Sequence, residues 1–230
     1  MSYHQEKCRL YRIIGPFLGR RREWKASASL PNVHTQLRTW FANLPKVLMV
    51  AQRDRIETDM ELEEMQALAL QMAYDNIQIV LHRQAVFVSR PSQESDSASQ
   101  TDASIEQLVE SALRTANVPD HKAIFSMCRS THAAMHAAIC LFTAGVVLSG
   151  LHLGHGAVRQ RNELLVALDR IISFFRIFPG EAYSLVPQCL QILETLQLRC
   201  NEILRSDRPS TKEVGSDETR TGKYRLQLQY

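Results

Sequence analysis

Apolar residues recur at helical spacing along nearly all of this 230-residue chain, and strand-like alternation is almost absent. The pattern predicts an all-α fold, an irregular multi-helix bundle with a long buried central helix. Cys8 to Leu18 puts Leu10, Ile13, Ile14 and Phe17 on one side and stops near Gly15-Pro16 or Gly19. Pro31 and Asn32 open a short helix striped by Val33, Leu37, Trp40 and Leu44. Pro45 ends it, because proline removes a backbone donor and disfavours helical geometry in the residue before it. Thr58 and Glu61 have the spacing of a capping box, in which hydroxyl and carboxylate each satisfy an orphan amide. The helix they start is expected to run to about Val88. It carries one stripe of Leu62, Met65, Ala69 and Met72 and a second of Leu70, Tyr74, Ile77 and Leu81. A helix apolar on two sides packs between neighbours, so this one is predicted to be central.

Residues 89–104 are polar and serine-rich, and read as a mobile linker that builds no core. Ser104 and Gln107 form a second capping box, starting a helix with Ile105, Leu108, Val109, Ala112 and Leu113. Pro119-Asp120 resets the chain for its longest apolar stretch, which extends to Leu153. A further helix from about Ala157 to Phe175 turns Leu164, Leu165, Leu168, Ile171, Ile172 and Phe175 inward. Pro179-Gly180 is a turn, and a last helix from about Val186 to Leu204 buries Leu190, Leu193, Leu196 and Ile203. The chain therefore divides into a basic segment with a partial helix (1–30), a helical domain (31–205) containing the linker 89–104, and a polar tail (206–230) expected to be disordered.

Composition supports a folded, water-exposed protein, with 45% hydrophobic and 22% charged residues. The net charge of +3 is too small to argue for nucleic-acid binding. It is unevenly spread: residues 1–25 carry seven Lys/Arg against Glu6 and Glu23, a balance of +5, which leaves −2 for the remainder. The triplet Arg20, Arg21 and Arg22 can bind phosphate or act as a nuclear import signal, although such a patch is more often a solvated turn. Five widely spaced cysteines without a CxxC pair argue against a disulfide framework and for a reducing compartment. The polar first ten residues form no targeting segment.

Cys128, His132, His136 and Cys140 stand four apart on one predicted helix and are zinc-ligand types. Each four-residue step overshoots a turn by roughly 40°, and the four positions span about 18 Å of axis, so at most two neighbours could share an ion. Ala133 stands where a zinc protease needs its general-base glutamate, and the interleaved alanines read better as a small-residue packing face. No metal site is assigned. Between Arg129 and Arg159, 29 consecutive residues lack Asp, Glu, Lys and Arg, which raises a membrane span. The histidines and glycines inside it favour a buried helix of a folded domain, and no membrane is expected. His82-Arg83 closes the central helix, where cations favour the dipole's negative end. With no nucleophile elbow, phosphate-cradling glycine loop or paired carboxylates, no catalytic residue is assigned and the chain is not expected to be an enzyme.

Several segments, in order, resemble the regulatory domain (middle homology region) of fungal binuclear zinc-cluster transcription factors. Leu37, Trp40, Leu44 and Pro45 match that family's L-x-x-W-x-x-x-L-P element. Leu70 to Arg83, with Tyr74 and a terminal Leu81-His82-Arg83, is similar to its long helix. Gln84 stands where the family usually has proline, and Asp75 where it usually has histidine after the tyrosine. Cys128 to Phe142 resembles a later alanine-rich helix, and Leu164 to Leu196, including Cys189 to Leu193, the closing helix pair. The family's six-cysteine DNA-binding cluster is not in this chain, so its zinc would lie outside it and direct DNA contact is not expected. The resemblance covers the C-terminal half of the regulatory domain. It implies a nuclear regulatory module without its own zinc cluster, which senses a small-molecule effector or contacts transcription machinery, with cofactor-binding residues and oligomeric state unspecified. The alternative is a small helical membrane-associated protein using segment 130–158.

Overall fold

A computed structural model describes residues 2–19, 30–50, 61–87, 95–129, 131–154, 161–178 and 185–206. Among these residues the fold is all-α, with eight helices packed together: α1 (Tyr3–Gly19), α2 (Leu30–Ala42), α3 (Glu61–Phe87), α4 (Ser95–Ala116), α5 (Ala123–Met127), α6 (Thr131–Gly154), α7 (Arg161–Ile177) and α8 (Leu185–Ser206). Short 3-10 turns follow α2 at Lys46–Leu48 and α4 at Val118–Asp120.

The two stripes of α3 serve two different interiors. Leu70, Tyr74, Ile77 and Leu81 join Leu10 and Ile14 of α1 and Val33, Leu37 and Trp40 of α2 in a smaller cluster. Leu68, Met72 and Ile79 face the larger cluster, built from α4 through α8. Thus α3 packs against α1, α2, α4, α5, α6 and the first 3-10 turn. Its first turn is not enclosed: Leu62, expected in a buried stripe, is 62% exposed. The larger interior is organised around α6, which packs against α3, α4, α7 and α8. Leu141, Ala144, Leu148 and Leu151 of α6 are buried, as are Ile171, Ile172 and Phe175 of α7 and Leu193 of α8. Where α6 meets α8 the approach is close: a Cβ at Gly145 would stand 2.7 Å from Leu193 Cδ2.

Four expectations need correction. The second half of the predicted linker is helical: α4 begins at Ser95, not Ser104, and Ser104 is buried within it. Serine and aspartate cost a helix only about half a kcal/mol each, and once a packed segment has nucleated, each added residue gains a hydrogen bond. Residues 89–94 lie outside the described residues. The apolar stretch after Pro119 is not one helix, because α5 stops at Met127 and α6 starts at Thr131. Helix α1 starts at Tyr3, not Cys8, and ends at Gly19, the second of the two expected stops; it passes through Pro16, whose missing hydrogen bond would have gone to Arg12, and both residues face solvent, where water can satisfy the freed carbonyl. In α8 the most buried positions are Val186, Cys189, Leu193 and Cys200, while Leu190, Leu196 and Ile203 are half-buried. The basic triplet 20–22, Thr58, the Pro179-Gly180 turn and the tail from 207 lie outside the described residues.

Candidate functional site

The groove between α2 and α4, floored by α3, opens into a cavity of about 550 Å³. One wall is the α2 face bearing His34, Arg38 and Phe41; the other is the α4 face bearing Glu106, Glu110 and Arg114; Tyr74 and His82 line the floor. These positions recur at three- and four-residue steps, so each helix aims one stripe into the same space. The volume falls in the range of small-molecule sites.

Beneath the cavity lies a buried ionic anchor. Asp75 has no exposed surface; its Oδ1 accepts bonds from Arg114 Nη2 (2.6 Å) and Nε (3.0 Å), and its Oδ2 accepts one from Gln71 (2.6 Å). Burial pushes the Asp75 carboxyl up to about 6 despite the guanidinium beside it. Burial also opposes the charge on Arg114, but the Asp75 carboxylate more than offsets this and holds its pKa above the ordinary value. Arg114 bonds Glu110 as well, and its guanidinium sits 5.8 Å from the Tyr74 ring centre. Tyr74 in turn stacks on Phe41 at 4.4 Å and on Trp40 at 6.0 Å. The Trp40 indole N–H donates to Glu6 of α1 at 3.1 Å, closing the chain of contacts through all four helices. Burial raises the Tyr74 phenol, so it stays neutral.

Two histidines meet at the floor. His34 Nδ1 lies 2.9 Å from His82 Nε2 and 3.3 Å from Gln78 Oε1, while Gln78 Nε2 lies 3.0 Å from the Tyr74 hydroxyl. Burial holds both imidazoles below their usual pKa, His82 at about 4, so each is neutral near pH 7. His82 Nδ1 is buried without a partner. In the His34–His82 contact one ring nitrogen donates and the other accepts, and Gln78 Oε1 stands within reach of His34 Nδ1 as an acceptor.

The sequence candidates for metal chemistry are dispersed. Cys128 caps α5 and is not on α6, so the four-step ladder is broken; His132 is exposed, whereas Cys128 and Cys140 are buried. His136 Nε2 and Cys140 Sγ lie 3.7 Å apart. Burial raises the Cys128 thiol to about 11 and the Cys140 thiol to about 12. No group of three potential metal ligands occurs among the described residues. The apolar segment, His132–Gly154 of α6, is long and apolar enough to cross a membrane, but 61% of that window is buried by the rest of the fold. His152 within it is fully buried and its Nε2–H donates to the Cys200 carbonyl at 3.2 Å.

Of the residues singled out by family resemblance, Trp40, Tyr74 and Leu81 share one interior and His82 lines the cavity. Asp75, the departure from the family's usual histidine, is the ionic anchor. Sequence reasoning missed His34, Glu106, Glu110 and Arg114. Two signals were available: the i,i+4 pair Glu110–Arg114, and polar Asp75 and Gln78 inside a doubly apolar helix. Nothing local marked His34, whose partner is 48 residues away. No known protein family matches this chain, and neither a curated protein nor a solved structure matches it significantly.

Proposed function

We propose that the chain is the effector-sensing regulatory module of a nuclear transcriptional regulator, of the zinc-cluster kind its sequence resembles, with the cavity between α2, α3 and α4 as its effector site. The observation that carries this reading is the cavity's position. Tyr74 and His82, two residues of the resemblance, stand on its floor, and Trp40 backs it against Tyr74. A ligand there contacts three helices at once. It could therefore bias the docking of α1 and α2 on the rest of the bundle, as a sensor requires. The mixed lining, with charged and aromatic side chains facing one space, is of the kind that orients a small ligand.

The test is a fusion placing the chain between a heterologous DNA-binding domain and an activation domain in a fungal nucleus. Reporter output should differ several-fold from that of a fusion lacking the chain, and should vary with the growth medium. Identical output in every medium would remove the regulatory reading. The membrane-associated alternative rests on the length and composition of α6; recovery of the chain in a carbonate-resistant membrane pellet would favour it instead.

A further inference from the structure

The two walls of the cavity carry opposite chemistry. On α2, Arg38 is exposed and has no carboxylate partner among the described residues. One turn away, His34 lines the same wall, its Nδ1 turned to His82 and Gln78 of α3, and the Arg38 guanidinium supplies this wall's hydrogen-bond donors. On α4, Glu106 offers acceptors and negative charge, while Glu110, one turn away, is paired with Arg114. Arg114 adds no free cation, being held by Asp75 and Glu110. Leu30, Pro31, Phe41 and the Tyr74 ring supply apolar surface between the walls.

Simple ions fit this arrangement poorly. A phosphate dianion at Arg38 would face the Glu106 carboxylate, and a plain amine at Glu106 would face a guanidinium; each like-charge approach is unfavourable. A ligand carrying both charges satisfies both walls. We infer that the cavity binds a zwitterionic α-amino acid with a large apolar or aromatic side chain: carboxylate on Arg38, ammonium on Glu106, side chain against Phe41 and Tyr74. Arg38 and Glu106 are then the residues that set specificity, because a ligand lacking either charge leaves its partner unanswered in the groove. This deepens the effector reading and rests on that cavity being the sensory site.

The test uses the full chain and three probes: free L-phenylalanine, its N-acetyl derivative and its methyl ester, each followed by calorimetry and thermal shift. Free phenylalanine should bind, and each blocked form about tenfold more weakly. Arg38→Ala should abolish the preference over the ester while keeping that over the N-acetyl form; Glu106→Gln should do the reverse. Both side chains are exposed, so the variants should keep the wild-type melting temperature and far-UV spectrum. Equal binding of all three probes would overturn the inference, as would preferences that survive both substitutions. So would no binding of free phenylalanine. The two levels separate cleanly: no amino-acid binding with a responsive reporter fusion defeats the ligand assignment alone, and binding with an inert fusion defeats the regulatory reading alone.

Discussion

The two interiors separated by α3 are built on different principles. Around α6 the packing is almost wholly apolar, with alanines and Gly145 letting backbones approach and Leu, Ile and Phe filling the space. Of the buried polar residues of α6, Ser149 bonds the Gly145 carbonyl within its own helix, and His152 reaches the Cys200 carbonyl of α8. Around α2 the apolar cluster is smaller and is threaded by a polar network running from Glu6 through Trp40 to Tyr74, and from there to Gln78, His34 and His82, with Asp75 and Arg114 alongside. The first kind of interior gains stability in proportion to area and shape. The second places groups whose bonds must all be met at once, and it leaves donors and acceptors facing a cavity. An almost wholly apolar interior and a polar, cavity-bearing one thus lie on opposite faces of one helix.

The largest expected effect tests the polar side. Arg114→Met leaves the Asp75 carboxylate buried without its cation, and should cost about 3 kcal/mol in urea unfolding at neutral pH, the low end for buried pairs because Arg114 is 32% exposed. Adding Asp75→Leu should restore much of that loss; a double variant no better than the single would refute a charge-based cause. On the apolar side, Leu148→Ala removes a fully buried side chain and should cost about 2–5 kcal/mol while leaving cavity ligands bound as before. A change in ligand affinity there would erase the division of labour between the two faces.

Smaller in size, the pH dependence distinguishes the regions by the groups that titrate. His82 is lowered from 6.5 to about 4, so between those values the unfolded chain binds protons that the fold refuses, and stability falls as pH falls. Asp75 is raised from 3.8 to about 6, so over that window the fold binds the proton first and stability rises as pH falls. The two oppose each other and should leave a shallow profile. His82→Phe removes the first effect and should make the protein at about pH 5 more stable relative to about pH 7, by roughly 1–2 kcal/mol beyond the wild-type difference. Parallel profiles for wild type and variant would mean that His82 is not held neutral by burial. Smallest in net size, Gly145→Ala sets the added methyl against Leu193 inside the packed α6–α8 contact, but alanine gains about 1 kcal/mol over glycine within a helix, so the net cost should be about 1 kcal/mol or less; pairing it with Leu193→Val should relieve the clash and leave a net gain.

Much of the fold was legible because helical periodicity is a local property. The stripe of α2, the inward face of α7 and the Leu70, Tyr74, Ile77 and Leu81 stripe of α3 follow from the spacing of apolar residues; of the other expected stripe of α3 only Met72 is fully buried, with Met65 and Ala69 half-buried and Leu62 exposed. Boundaries were less legible. The start of α4 depends on continuation of an already packed helix through weak formers, and the break between α5 and α6 falls inside an uninterrupted apolar run.

The order of residues alone determined that this chain is helical and that one long helix is shared between neighbours. What α3 is shared between, and which polar groups meet across it, was decided in three dimensions. His34 and His82 are 48 residues apart and Asp75 and Arg114 are 39 apart. A hydrogen bond or ion pair at such separation has no periodicity to announce it, because it depends on how three helices cross rather than on how any one of them turns.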